Sequence, residues 1–153
     1  FKKNALQSLS GWDENLASSQ EYDLMFRLLK DCKKSLIDTE SLTIIKERNF
    51  GQISQQNPKV KWNRYVDFRL EVIKYLRESE EDYFELNKVR ILQILFDSLR
   101  ILAQYDLKTA HYLYKNHLKS FKPNVSSTTS KKYLRLFNLF GFYLSEIFKK
   151  IIS

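Results

Sequence analysis

Most of this 153-residue sequence shows the spacing of apolar residues that is typical of α-helices. Residues 83–103 carry an apolar face over about five helical turns, which is the strongest pattern in the chain. A second helical pattern covers residues 107–121 and follows the very short connection at residues 105–106. Because so short a connection leaves two helices side by side, these segments predict a helical hairpin.

Two flanking segments also predict helices. The first lies between Pro58 and the acidic run at residues 78–82, and its apolar positions are Val66, Leu70 and Ile73. The second covers residues 131–152 and places on one side Leu134, Phe137, Phe140, Leu144, Ile147 and Ile151. Its charged residues are basic except for Glu146. Such a helix suits either a membrane interface or packing on the chain's other helices, and the sequence leaves both open.

Residues 1–57 predict a smaller, mixed region. Ser18 and Glu21 have the spacing of a capping box, in which each side chain bonds a free backbone N–H of the first helical turn. In the helix that follows, the expected buried stripe consists of Met25, Leu28, Leu29 and Cys32. The β-prone runs 36–37 and 42–45 predict two short strands. The expected fold class is therefore mainly α, with a small α+β region at the N-terminus.

Polar segments divide the chain into four predicted parts. Gly51 and the polar residues 54–58 mark a boundary after residue 57, and residues 122–130 read as a polar linker. The parts are then a mixed N-terminal region (1–57), a helical extension (58–121), the linker (122–130) and an amphipathic C-terminal helix (131–153).

Composition narrows the function classes. With 3 Gly and 2 Pro, the sequence argues against a turn-rich β-sandwich and against a glycine-rich phosphate loop. One cysteine excludes a disulfide within the chain and a multi-cysteine zinc site. His111 and His117 are six residues apart, which does not place two metal ligands on one helical face, and we expect both to be ordinary surface or interface residues.

The net charge of +8 is concentrated near the C-terminus, where residues 121–153 carry 6 basic and 1 acidic side chains. Such an excess favours an anionic partner, either membrane lipid or nucleic acid. The sequence shows neither a signal peptide nor the ~18 continuous apolar residues of a membrane span. The expected location is cytoplasmic, with peripheral contact at the inner face of the membrane. The chain begins without an initiator Met, and we expect upstream sequence in the parent protein.

One sequence motif suggests a specific chemistry. The residues Ser-Gly-Trp-Asp-Glu-Asn-Leu at positions 10–16 are followed by Gln-Glu-Tyr-Asp-Leu-Met-Phe-Arg-Leu at positions 20–28. Together they resemble the second half of a family 2 glycosyltransferase with the GT-A fold. That family has a Gly-Gly-aromatic-Asp-Glu loop, then an acidic pair and an aliphatic-aromatic-Arg helix. Ser10 stands in place of the first Gly.

The resemblance implies a role for each residue of the motif. Glu21 falls on the position of the catalytic base, with Gln20 as the first member of the pair. A carboxylate there would take the proton of an acceptor hydroxyl as it attacks the anomeric carbon of the sugar. The other candidates are substrate-binding residues: Trp12 against the sugar or acceptor, Asp13 and Glu14 as acceptors of sugar hydroxyls, and Arg27 as a brace for the helix or the acidic pair.

A third segment bears on the metal. Residues 48–54 resemble a later stretch of the family that carries a histidine, but here Phe50 occupies that position and has no ligand atom. The resemblance therefore implies a divalent metal, Mg or Mn, only in the intact parent. We expect no cofactor for this chain by itself.

Two functions follow as expectations. The first is a fragment of an inverting glycosyltransferase that acts in surface polysaccharide synthesis, with a nucleotide-sugar and an acceptor hydroxyl as its partners. The fragment alone is expected to be inactive, because it contains no Asp-x-Asp triplet and lacks the donor-binding strands. Exposed strand edges would then favour self-association. The alternative is a non-enzymatic basic helical module that binds protein, an anionic membrane surface or nucleic acid, of which nucleic acid is least expected because no recognition signature is present.

Overall fold

The structure is a computed structural model and describes residues 3–16, 20–31 and 57–152. In these ranges it contains helices and no β-strand, so the prediction of a mainly α chain is confirmed for them. The two predicted strands, Ser18, Cys32 and Phe50 lie outside the described residues. The helices are α1 (Lys3–Ser8), α2 (Gln20–Lys30), α3 (Pro58–Ser79), α4 (Glu81–Tyr105), α5 (Leu107–His117) and α6 (Lys131–Ile152).

The chain forms two compact units, residues 1–57 and residues 58–153. The N-terminal unit contains α1 and α2, and the helical unit contains α3 to α6. None of the described helices combines the length and the apolar composition that a bilayer span requires.

The buried face of α2 differs from the predicted one. Leu24, Phe26 and Leu28 are buried, whereas Met25 is 47% exposed and Leu29 is 53% exposed. The prediction that Met25 and Leu29 lie in a buried stripe is therefore wrong. Residues 24 and 28 form a row with the same four-residue spacing as residues 25 and 29, so the period alone does not reveal which row faces inward.

Single residues connect the first helices of the helical unit. Glu80 lies between α3 and α4, inside the predicted acidic separator, and Asp106 lies between α4 and α5. These short connections place α4 beside both α3 and α5, as the hairpin prediction requires. Val89 belongs to the apolar pattern of residues 83–103 but is exposed in the structure.

The core of the helical unit is centred on Phe96 of α4, which is fully buried. Its ring contacts five other aromatic rings at centroid distances of 5.4 to 6.4 Å, mostly edge to face. These rings belong to Tyr114, Phe121, Tyr133, Phe137 and Phe142. Since edge-to-face pairs add attraction beyond area burial, Phe96 joins α4 to α5 and to both halves of α6.

Gly141 interrupts α6. Its φ of 71° and ψ of −178° lie in a region that only glycine adopts without strain, so the helix changes direction there. Before the break Tyr133 is buried, and after it the buried residues are Phe142, Ser145 and Glu146. The apolar side identified in the sequence is therefore not buried as a whole, since Phe140, Leu144 and Ile151 are exposed.

A buried ion pair joins α4 to α6. Arg100 and Glu146 are 2% and 1% exposed, and Arg100 Nε lies 2.8 Å from Glu146 Oε1. Arg100 also donates to the Thr128 carbonyl oxygen and to Thr129 Oγ1, and its guanidinium lies 3.3 Å from the centroid of the Tyr133 ring. The pair is thus supported by hydrogen bonds and by a cation–π contact, as a buried charge requires.

The polar segment 122–130 is held against α4. Asp97 Oδ1 accepts hydrogen bonds from the hydroxyls of Ser126, Thr128 and Thr129 at 2.7 to 2.9 Å. Ser130 then caps α6, because its Oγ accepts from the Tyr133 backbone N–H at 3.2 Å. The polar residues of segment 122–130 therefore form hydrogen bonds with Asp97 and Arg100, and Ser130 caps the start of α6.

Asp106 fastens the start of α3 to the α4–α5 turn. Its Oδ1 accepts from the Thr109 backbone N–H at 3.1 Å, which caps α5, and its Oδ2 lies 2.7 Å from Lys59 Nζ. The hydrogen bond from Lys59, followed by that from Thr109, lowers the pKa of Asp106 from 3.8 to about 2.

We predict that Arg100→Leu destabilises the helical unit by about 3–5 kcal/mol, because it leaves the Glu146 carboxylate buried without a partner. Glu146→Leu should cost a similar amount, and the double variant should cost less than the sum of the two. Urea unfolding followed by far-UV circular dichroism measures these differences. The control Arg90→Leu removes an exposed arginine from the same helix and should change stability by less than ~0.5 kcal/mol. An equal, small effect of both arginine substitutions would contradict the prediction.

We predict that Asp106→Asn removes one acid-sensitive part of the stability. A carboxyl whose folded pKa is lowered stabilises the protein above its unfolded pKa, and this contribution disappears as the pH falls from 3.8 towards about 2. Asparagine caps a helix about as well as aspartate, so the variant keeps the cap and loses the charge. In urea unfolding at pH 5 to pH 2, the advantage of the wild type over Asp106→Asn should shrink to nearly zero. A pH-independent difference would show that the charge is unimportant.

Candidate functional site

The motif loop follows α1 and has an unusual backbone. Ser10 has φ 60° and Gly11 has φ 71°, both in the left-handed region. The Gly11 N–H donates to the Leu6 carbonyl at 2.9 Å, and the Ser10 N–H donates to the Gln7 carbonyl at 3.2 Å. These two bonds form a Schellman motif, which ends α1 and turns the chain. Ser10 therefore stands at a position that glycine normally occupies.

Arg27 of α2 holds this turn in place. Its Nη1 donates to the Leu9 carbonyl at 2.8 Å and its Nη2 donates to the Gly11 carbonyl at 2.9 Å. Its Nε forms a 2.8 Å ion pair with Asp23, one turn earlier on the same helix. All three guanidinium nitrogens of Arg27 thus bond groups of the N-terminal unit, and Arg27 acts as a positioning residue for the loop.

The other end of the loop is attached to the start of α2. Gln20 Nε2 donates to the Leu16 carbonyl at 2.9 Å. The loop is thus bonded to α2 at both ends, through Arg27 at its start and through Gln20 at Leu16. Gln20, expected only as the first member of an acidic pair, takes a structural role that the sequence motif did not reveal.

Three candidate residues lie between these two attachments. Trp12 is 44% exposed, and Glu14 is exposed. Asp13 Oδ1 accepts from the Asn15 backbone N–H at 2.9 Å and from Asn15 Nδ2 at 3.1 Å, which forms an Asx turn. Asp13 therefore shapes the loop, and Trp12 and Glu14 present side chains at its surface.

Glu21 lies in the first turn of α2 and is exposed to solvent. A carboxylate at this place is stabilised by the unpaired N–H groups and the dipole at the helix N-terminus. The capping box predicted with Ser18 falls outside the described residues. Glu21 is available for contact with a substrate, which is the first requirement for a general base.

The described residues offer no metal centre, since no group of three or more His, Cys, Asp or Glu side chains is arranged to hold an ion.

In comparisons with known proteins, no family model, no curated protein and no solved structure matches this chain.

The helical unit contains a shallow cleft of about 590 Å³ that the sequence analysis did not predict. Its lining is formed by Leu70, Glu71, Ile73, Lys74, Arg77, Glu78 and His117. Burial and the nearby Arg77 lower the pKa of His117, so the imidazole is neutral near neutral pH. With two cations and two carboxylates around it, the cleft favours neither sign of ligand.

His111 lies at the interface between α5 and α6, in agreement with the expected surface or interface location. Its ring centroid lies 4.9 Å from that of Tyr143 and 6.5 Å from that of Phe142. Its Nδ1 is buried without a hydrogen-bond partner. Burial, with a contribution from Lys115, lowers the pKa of His111 and keeps the ring neutral.

We predict that Ser10→Gly stabilises the N-terminal unit by roughly 0.5–1 kcal/mol, because glycine adopts a left-handed φ without strain. Gly11→Ala should destabilise it by about 1 kcal/mol through the backbone alone, since an added Cβ would meet no atom within 4 Å. Hydrogen exchange of the α2 amides in the whole chain measures both effects.

The matched control is Ser8→Gly at the end of α1, which makes the same exchange at a helical position and should be destabilising. Faster exchange in Ser10→Gly than in the wild type would show that the left-handed turn does not limit the stability of this unit.

Proposed function

We propose that this chain is the acceptor-side part of an inverting glycosyltransferase of family 2. The observation that carries the proposal is the loop between α1 and α2, in which two consecutive left-handed residues precede Trp12, Asp13 and Glu14. The family pattern has two glycines at these positions. Both Ser10 and Gly11 have a positive φ, which glycine adopts without strain, and this accounts for the two glycines of the pattern.

The hydrogen bonds of Arg27 also support the proposal. The family pattern places an arginine in the helix after the loop, and Arg27 bonds the Leu9 and Gly11 carbonyls on either side of Ser10. A fixed loop is what a sugar-binding surface needs, because catalytic and binding groups must be held in place before the substrate arrives.

In the proposed reaction, the Glu21 carboxylate accepts the proton of an acceptor hydroxyl. The hydroxyl oxygen forms a bond to the anomeric carbon as the bond from that carbon to the nucleoside diphosphate breaks, which inverts the configuration. The leaving diphosphate takes the electron pair and needs positive charge, which we assign to the nucleotide-binding part of the GT-A fold outside the described residues. A metal bound there would supply this charge.

The loop residues bind the substrate in this scheme. The exposed Trp12 ring offers an apolar face for a sugar, and Glu14 accepts hydrogen bonds from its hydroxyl groups. Since Asn15 occupies Asp13 Oδ1, Asp13 has Oδ2 for a sugar hydroxyl. Arg27 contributes by positioning the loop.

We predict that Glu21→Gln lowers the transfer rate of the parent protein by about 10²–10⁴-fold, the usual contribution of a general base. The parent is recovered from its cells with an antibody against residues 58–153 and assayed for release of nucleoside diphosphate from nucleotide-sugars with acceptors present. The control Glu81→Gln removes an exposed acid from the first turn of another helix, α4, and should leave the rate unchanged.

Two results would overturn the proposal: full activity of Glu21→Gln, or a recovered parent that consumes no nucleotide-sugar. Residues 1–153 by themselves are expected to show no turnover, and activity of the isolated chain would contradict the assignment of the donor site to other residues.

A further inference from the structure

The second half of α6 directs its polar residues inward. Ser145 is fully buried and donates from Oγ to the Gly141 carbonyl at 2.7 Å. Glu146 is buried one residue later in the ion pair with Arg100. These two polar side chains therefore lie on the side of α6 that contacts the rest of the helical unit.

A group of apolar side chains on both sides of the break at Gly141 is exposed. We use the term outer face for five exposed side chains on α6, which are Leu139, Phe140, Tyr143, Leu144 and Ile151. Leu139 and Ile151 are 74% and 73% exposed. The Phe140 ring also packs against Phe148 at a centroid distance of 5.2 Å, so the aromatic side chains on this surface contact one another. A helix that is apolar on its exposed side as well is typical of a helix that is covered by a further apolar surface.

The charge on α6 indicates the nature of that surface. The helix contains five basic residues and one acidic residue, and the acidic residue is the buried Glu146, which Arg100 neutralises. Arg135 lies one turn before Leu139, and Lys150 lies two turns after Tyr143, so both cations border the outer face. Both are exposed. The exposed charge of α6 is therefore entirely positive.

We propose that the outer face of α6 docks on an anionic phospholipid membrane. Apolar and aromatic side chains enter the boundary between headgroups and acyl chains, while Arg135 and Lys150 contact lipid phosphates and carboxylates. Glu146 on the inner side of α6 is bonded to Arg100 of α4, so only the outer face of α6 contacts the lipid. A protein partner would need its own acidic rim, whereas an anionic bilayer supplies both the apolar layer and the negative charge.

No residue of the N-terminal unit takes part in membrane docking by α6, so docking is independent of the proposed sugar transfer. Loss of transfer by Glu21→Gln and loss of membrane binding by α6 variants are therefore separate results.

The test is co-sedimentation of the whole chain with vesicles. Vesicles of phosphatidylcholine with about 30% phosphatidylserine are compared with pure phosphatidylcholine vesicles at about 0.1 M salt. We expect binding to the anionic vesicles, at least about tenfold weaker binding to the neutral ones, and weaker anionic binding at about 0.5 M salt because of screening.

Two variants with matched controls assign the binding to α6. Leu139→Ser/Ile151→Ser should weaken anionic-vesicle binding about tenfold or more, whereas the control Leu86→Ser/Val89→Ser removes exposed apolar residues from α4 and should have no effect. Arg135→Gln/Lys150→Gln should also weaken binding, and the control pair Lys108→Gln/Lys119→Gln should not. All substituted side chains are exposed, and circular dichroism and thermal unfolding verify that each variant is folded.

Several outcomes would overturn the proposal. These are failure of the folded wild type to bind anionic vesicles at low salt, equal binding to neutral vesicles, or equal loss in the α4 control. Association of the chain in the absence of lipid, abolished by Leu139→Ser/Ile151→Ser, would assign the outer face to a second copy. Salt-sensitive binding to DNA in place of vesicles would assign the charge to nucleic acid.

Discussion

The ion pair between Arg100 and Glu146 determines how the C-terminal half of the helical unit is arranged. A guanidinium and a carboxylate that are almost completely buried must satisfy each other, because neither has water to replace its partner. Arg100 also bonds Thr128 and Thr129, which fixes the polar segment against α4. Glu146 fixes the orientation of α6 after Gly141. The apolar residues on the other side of α6 are consequently directed outward.

The N-terminal unit shows a similar dependence on one arginine. Arg27 bonds two carbonyl oxygens of a turn whose residues, Ser10 and Gly11, have positive φ. The turn presents Trp12 and Glu14 at the surface, and its far end is bonded to Gln20 beside Glu21. In both units, therefore, an arginine connects a helix to an irregular segment by donating to backbone carbonyl oxygens of that segment.

Much of the helical unit was predictable from residue spacing. The helices beyond Pro58, the hairpin at Asp106 and an inward apolar face on residues 83–103 follow from long periodic patterns. The structure buries Leu92, Leu95, Phe96 and Leu99 on that face. For the candidate site, the motif at residues 10–16 and 20–28 indicated a loop followed by the helix α2. The roles of Gln20 and Asp13 in fixing the loop could not be foreseen, since hydrogen bonds between single side chains and the backbone leave no periodic signal in a sequence.

The sequence by itself determined where the helices beyond Pro58 lie, because helix formation depends on the local spacing of apolar residues. The end of α5 at His117 and the break of α6 at Gly141 appeared only in the structure. Only the tertiary structure decided which side of each helix is buried. In α2, two rows of apolar residues have the same spacing and only one of them is buried. In the second half of α6, Ser145 and Glu146 face inward while Leu144 and Ile151 are exposed. For α6 the deciding contact is with Arg100, 46 positions away from Glu146, because a buried guanidinium needs a carboxylate partner and the spacing of apolar residues carries no information about so distant a contact.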